Sequence, residues 1–222
     1  MNQANRTIEP RIPLSRERIF QAAVVLADER GLESLTMRAL GEELGVEAMS
    51  LYNHVESKDD VVHGMIGLVV DEIEPPSPEA DWRTALRQSA ISAHEALTRH
   101  RWAASVWMTS GGSGGDRMRH AEAALRCFRE AGFPPDLTYH AYHVWQGYAL
   151  GFTLQELNFP HDRESLKAMA ARFLRDFPTD EYPHLAEHIE QHVDPPHAEH
   201  QGAFEFGLDL ILDSLERLRD AA

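Results

Sequence analysis

The stretch that decides the fold is LTMRALGEELGVEAMSLYNHV, residues 35–55. Met37, Leu40 and Leu44 recur at helical spacing, and Thr36 stands where its hydroxyl can accept from a first-turn amide. Gly45 follows the last apolar residue of that run, where a residue without a Cβ adopts the left-handed conformation that stops a helix. The chain must then leave in a new direction. A second short helix places Val46, Met49 and Val55 inward and leaves Ala48, Ser50, Tyr52, Asn53 and His54 outward. Hydroxyls, an amide, an imidazole and small apolar groups on one short face suit phosphates and major-groove base edges. The pattern therefore predicts a DNA-reading helix-turn-helix.

The flanks supply the rest of such a head. Ser15 can cap a helix running to about Arg30, with Ile19, Ala22, Ala23, Leu26 and Ala27 on one face and Leu14 placed to staple against Ile19. After Val55, Ser57-Lys58-Asp59-Asp60 reads as a capping box that opens a helix through Val61, Val62, Met65, Ile66, Leu68, Val69 and Ile73. Lys58 falls in that helix's first turn, where an ammonium beside free amides can hold a phosphate, against the opposing field of Asp59 and Asp60.

These residues resemble the tetracycline-repressor (TetR) family of bacterial transcriptional regulators. The family pattern appears in order as Leu35, Thr36, Arg38, Leu40, Leu44, Gly45, Val46, Leu51, Tyr52, His54, Val55 and Lys58. The resemblance implies a homodimer with one head per subunit, bound to a near-palindromic double-stranded DNA operator and released by a small-molecule effector in the C-terminal domain. It implies DNA contacts from Thr36, Arg38, Ala48, Met49, Ser50, Leu51, Tyr52, His54 and Lys58. Ala48 and Met49 fall where the family varies its base readers, and here they offer only apolar contact, such as to a thymine methyl. Direct readout then rests largely on Arg38.

Charge is divided unevenly. The whole chain carries 21 Lys and Arg against 36 Asp and Glu, a formal net charge of −15. Residues 1–58 hold seven of those cations and nine of the acids, so this portion is only −2 and the remaining −13 belongs to the C-terminal part. Ahead of the first helix, Arg6, Arg11, Arg16 and Arg18 outnumber Glu9 and Glu17, giving a basic arm able to follow a DNA backbone or minor groove. With few cations to release counterions, nonspecific affinity should be modest. No apolar run is long enough to span a bilayer and the start lacks a signal peptide, which predicts a cytoplasmic protein without membrane contact. A single cysteine, Cys127, excludes an internal disulfide and reads as a half-buried helix residue.

The run Pro75-Pro76-Ser77-Pro78 cannot continue a helix and marks a boundary. Beyond it every periodic segment is helical: about Trp82 to His100, Trp102 to Met108, Asp116 to Glu130, Asp136 to Leu157, Ser165 to Phe177, Leu185 to His192 and Gln201 to Arg219. Met118, Ala121, Leu125 and Phe128 mark the apolar side of the Asp116 helix. No strand alternation persists. The expected fold is all-α: an arm (1–14), a three-helix DNA-binding domain (15–60), a connecting helix and linker (61–78), and a larger ligand-binding and dimerisation domain (79–222).

Two of the later helices suggest a subunit interface. Gly147 and Gly151 share a face with His140, Val144 and Leu154, while Phe204, Leu208, Ile211, Leu215 and Leu218 form a stripe on the last helix. Burial in the chain's own core would produce the same periodicity. Aromatic and soft apolar residues gather in the middle helices, and Trp107, Met108, His140, His143, Trp145 and Phe152 are the candidate effector contacts. His184, His188 and His192 recur every fourth residue with His197 and His200 nearby, but no cysteine or compact carboxylate set completes a metal shell. The run Gly111-Gly112-Ser113-Gly114-Gly115 lacks the Lys-Ser/Thr ending of a phosphate loop and reads as a connection. No nucleophile motif or acid/base pair suggests catalysis, and no cofactor or metal is implied. The expected function is a repressor released by its ligand; the competing readings are a metal-responsive regulator and a helical enzyme that retains the head.

Overall fold

The computed structural model describes residues 13–109, 115–160, 162–193 and 202–222. Among them are eleven α-helices, one 3-10 turn and no strand. Most of the arm, with Arg6 and Arg11, lies outside the described residues, as do Gly111 to Gly114, His197 and His200. The chain divides into two compact units, Met1–Leu68 and Val69–Ala222.

The first unit contains α1 (Arg16–Arg30), the 3-10 turn Leu32–Ser34, α2 (Met37–Leu44), α3 (Ala48–Leu51) and most of α4 (Lys58–Asp71). Ser15 accepts from the Arg18 amide and Thr36 from the Ala39 amide, so both expected caps form. Ile19, Ala23, Leu26, Leu35, Leu40, Leu51, Val55, Val61 and Met65 are buried. A Cβ at Gly64 would overlap the Phe20 ring, so this glycine lets α1 and α4 close on each other.

The second unit takes up α5 (Trp82–Arg99), α6 (Ala103–Thr109), α7 (Gly115–Glu130), α8 (Pro135–Glu156), α9 (Arg163–Leu174), α10 (Pro183–Val193) and α11 (Ala203–Asp220). Its core joins Leu86 and Ala90 of α5, Ala124 and Phe128 of α7, Trp145 and Ala149 of α8, and Leu208 and Leu212 of α11. The Trp145 Nε1–H donates to the Leu86 carbonyl (3.1 Å), tying α8 to α5 inside that core. Tyr148 of α8 reaches the Phe204 carbonyl at the start of α11, whereas Arg219 at its end covers Phe133 just ahead of α8, so α8 and α11 run antiparallel.

The helix boundaries follow the sequence pattern, but the inward faces of α7 and α11 do not. On α7 the buried positions are His120, Ala124 and Phe128, and Met118 is exposed. Phe204, Leu208 and Leu215, expected at a subunit interface, are instead covered by α5 and α8 of the same chain, and Ile211 packs partly against that core. The outward apolar residues of α11 are Phe206, Leu210 and Leu218. On α8, His140, Val144, Gly147 and Gly151 are exposed, and added Cβ atoms at the two glycines would meet nothing within 4 Å.

Candidate nucleic-acid interface

The head is built around a glycine-shaped turn. Gly45 adopts φ 67° and ψ 34° and caps α2, and the Val46 amide donates back to the Gly41 carbonyl at 2.9 Å. A Cβ on Gly41 would sit 2.9 Å from the Val46 carbonyl oxygen and 3.1 Å from the Ala48 nitrogen. Gly41 therefore sets how closely α3 approaches α2, a role that apolar periodicity does not register. An open groove of about 470 Å³ runs over this turn, lined by Gly41, Glu42, Gly45, Val46, Glu47 and Ser50. Its two carboxylates disfavour phosphate there and leave the anion-accepting role to the far side of α3 and the start of α4.

The candidate contacts separate by burial. Met49, expected inward, is 75 % exposed, and Tyr52 is exposed beside it. Leu51, included among the DNA contacts, is fully buried: on a helix of four residues it is the one side chain that anchors α3 to the core. Thr36, Arg38 and Lys58 are exposed, while Ala48, Ser50 and His54 are half-buried. Thr36 spends one lone pair on its cap. Arg38 pairs with Glu42 one turn on (3.0 Å), both side chains standing in solvent.

The segment carrying Tyr52, His54 and Lys58 is held from α1. Arg16 donates to the His54 carbonyl (3.1 Å) and to Asp60 (2.7 Å), and its guanidinium lies 5.2 Å from the Phe20 ring centroid. Asp60 also accepts from the Glu56 amide at 2.9 Å, while its own amide donates to Ser57. Partial burial works against the Asp60 carboxylate, but the Glu56 amide and Arg16 outweigh it and hold the group below the usual aspartate range. Arg16, assigned by its sequence position to the DNA-binding arm, thus serves inside the head.

The candidate effector residues do not share one site. Trp107 and Trp145 are buried and meet at His120: its ring is edge-on to Trp107 at 6.4 Å and nearly parallel to Trp145 at 6.3 Å between centroids. Phe152 belongs to a different aromatic group, with Tyr148, Phe204 and His94. Met108, His140 and His143 are exposed, the two histidines because the inward period of α8 runs through Thr138, Ala141, Trp145 and Ala149. His184, His188 and His192 are exposed along α10. Among the described residues no three His, Cys, Asp or Glu side chains converge on a metal position, and no helix is long and apolar enough to cross a membrane.

A glycine-hinged helix pair with an exposed polar and apolar face, on a packed three-helix head that precedes an all-helical unit, defines a helix-turn-helix transcriptional regulator. The family model for bacterial regulatory proteins of the tetR family matches residues 19–65, and that for the tetracyclin repressor-like C-terminal domain matches residues 74–219. The chain is 30 % identical over 219 residues to the HTH-type transcriptional repressor DrrR1 of Streptomyces coeruleorubidus, covering 94 % of this chain and 80 % of that one. A crystal structure of a possible TetR family regulator from Streptomyces coelicolor A3(2) superposes with a TM-score of 0.75 at 29 % identity, over 92 % of this chain and all of that one (100 %). A TetR variant from Acinetobacter baumannii AYE in complex with minocycline gives a TM-score of 0.67 at 26 % identity, covering 93 % and 95 %. The chain belongs to the TetR family of transcriptional regulators. It is a ligand-responsive DNA-binding repressor rather than an enzyme.

Proposed function

We propose that this repressor acts in the cytoplasm as a homodimer, binding a near-palindromic operator through the outer surface of α2, α3 and the start of α4. In this reading Arg38, Ala48, Met49 and Tyr52 face the major groove, and Thr36, His54 and Lys58 hold the flanking phosphates, while Ser50 lies in the groove that Glu42 and Glu47 line. The observation that carries it is Met49: a large apolar side chain stands three-quarters in solvent on a head whose core is complete without it. Exposed thioether and phenol beside a lysine at a helix start match thymine methyls and phosphates. Two-fold symmetry of the dimer gives the operator its palindromy.

The second copy is proposed to cover the outer faces of α8 and α11, where Val144, Gly147 and Gly151 lie with Phe206, Leu210 and Leu218. Small residues permit close backbone approach, and the exposed apolar residues supply the area. The minocycline complex of the Acinetobacter relative supports a small-molecule effector, which in this reading sits in the second unit. Release requires that the effector bind the DNA-incompetent conformer more tightly than the operator-bound one, since equal affinity shifts nothing.

Gel-shift titration against the promoter DNA next to the protein's own gene tests this reading. Binding at least tenfold tighter than to random duplex is expected, as specific recognition exceeds nonspecific by far more than that. Lys58→Ala should weaken both and reduce the salt slope by about one. Equal affinity for promoter and random DNA overturns it.

A further inference from the structure

The interior shared by α5, α7 and α8 holds two buried polar groups that the fold leaves unpaired. His120 is 8 % exposed, and its ring makes no hydrogen bond to a described residue. The Ser89 hydroxyl on α5 is buried and likewise has no partner. The Thr98 hydroxyl and one Arg83 nitrogen on α5 are also buried without a hydrogen-bond partner, whereas other interior polar groups of the unit are satisfied. Thr138 donates to Phe133 and Pro134, Thr153 donates to Ala149, and Trp145 donates to Leu86. Even Ser89, in mid-helix, does not take the carbonyl one turn back that Thr153 takes. Buried polar groups without a partner are uncommon in folded chains, so each calls for something that completes it.

A chain of contacts links the two groups. Trp145 lies nearly parallel to His120 and reaches the Leu86 carbonyl, and Ser89 sits three residues after Leu86, on the same side of α5. Trp107 adds a second indole edge-on to the imidazole, and Arg117 fixes that tryptophan by donating to its carbonyl (3.1 Å) and lying over its ring (5.4 Å). Flat indole surfaces favour an aromatic plane. Burial alone lowers the His120 pKa, so the ring is neutral near neutral pH and offers one donor and one acceptor. Ser89 offers the same pair of functions without charge.

We propose that His120 and Ser89 are the polar anchors of the effector site, and that they select uncharged, planar aromatic compounds carrying hydroxyl or carbonyl groups at their edge. The assignment rests on the reading that the second unit holds the effector. A bare hydrocarbon leaves both anchors unpaired, and an anionic ring must be stripped of water without meeting a countercharge at either anchor.

The test is tryptophan-fluorescence quenching of the full chain with three probes: 1,8-dihydroxyanthraquinone, anthracene and anthracene-2-carboxylate. The dihydroxy compound should bind at least about tenfold more tightly than the other two, the range that one to two hydrogen bonds supply. His120→Phe and Ser89→Ala should each reduce that preference several-fold. In the ligand-free protein the same substitutions should leave the melting temperature unchanged or raise it, because each removes a buried polar group that has no partner. A structural role, or satisfaction by a trapped water alone, would lower melting temperature and leave the probe preference intact. That outcome, equal affinity for all three probes, or no binding of the dihydroxy compound overturns the assignment. If the dihydroxy probe binds as expected but promoter DNA is not released, the induction reading fails while the anchors stand.

Discussion

Arg16 and Asp60 lie 44 positions apart in the chain, yet their side chains form a 2.7 Å ion pair, and the same guanidinium holds the His54 carbonyl at 3.1 Å. This clamp fixes the segment between α3 and α4 against α1. Arg16→Ala should therefore lower the stability of the head by about 1 kcal/mol, the scale of a charge-assisted hydrogen bond at a partly exposed site. It should also weaken promoter binding although Arg16 need not touch DNA. Urea melts and gel shifts on the same variant check the pairing of effects; lost binding with unchanged stability would make Arg16 a direct contact instead.

The clamp also carries a pH dependence. Asp60 is held below the ordinary aspartate value of 3.8, so its contribution is complete well above 3.8, begins to fade as the pH falls to that value and vanishes below the group's folded value. Asp60→Asn should thus separate most from the wild type at pH 6–7, and the gap should close as the pH falls through 3.8 toward the folded value. Thermal melts across that range measure the difference; a gap that widens on acidification would contradict the clamp.

Two glycines of the turn should respond differently to alanine. At Gly45 a Cβ meets no atom but must adopt φ 67°, a backbone cost of about 1 kcal/mol. At Gly41 the backbone is ordinary but the Cβ strikes the Val46 carbonyl and crowds the Ala48 nitrogen, neither able to swing aside as a side chain would. Gly41→Ala should cost about 1–3 kcal/mol as overpacking and displace α3. It should therefore lose more promoter affinity than Gly45→Ala; the reverse order would mean that turn conformation, rather than helix spacing, sets the reading surface.

Such glycines show where legibility in the sequence ended. Caps and stops are local chemistry, so Thr36, Gly45 and the helix limits could be read from a few neighbours. Rotational phase is not local. On α11, Phe204, Leu208 and Leu215 alternate with Phe206, Leu210 and Leu218, two apolar sets on one helix, and only the position of α8 shows which set the chain itself covers. On α3, four residues are too few to define a face, and Met49 and Leu51 exchange their expected places. His120 was missed for a different reason: a search for apolar periodicity passes over an inward imidazole, although its spacing to Ala124 and Phe128 carries the signal.

The two apolar sets on α11 make the subunit interface testable. Leu210→Asp places a charge on the exposed set and should leave a folded chain that sediments as a monomer. Leu208→Asp buries an unpaired carboxylate and should unfold the second unit. Circular dichroism with sedimentation separates them. A folded, dimeric Leu210→Asp protein would remove the α11 outer face from the interface.

Within the second unit, the contact between Tyr148 and Gly207 should prove strongly non-additive. The Tyr148 hydroxyl donates to the Phe204 carbonyl at 2.9 Å, and burial, with Glu205 nearby, pushes its pKa up to about 12. The ring reaches this position because Gly207 has no side chain: a Cβ there would overlap the phenolic oxygen. Gly207→Ala alone should destabilise through this overlap, even though alanine is the better helix former by about 1 kcal/mol. Tyr148→Ala alone should also destabilise, through the lost ring and hydrogen bond. In the double variant the overlap is gone and the alanine's helical preference is expressed, so Gly207→Ala should become neutral or stabilising. A double-mutant cycle by denaturant unfolding reads the coupling directly. Independent, additive costs would show that α11 can shift to accommodate the methyl group, and that Tyr148 does not set the spacing of α8 and α11.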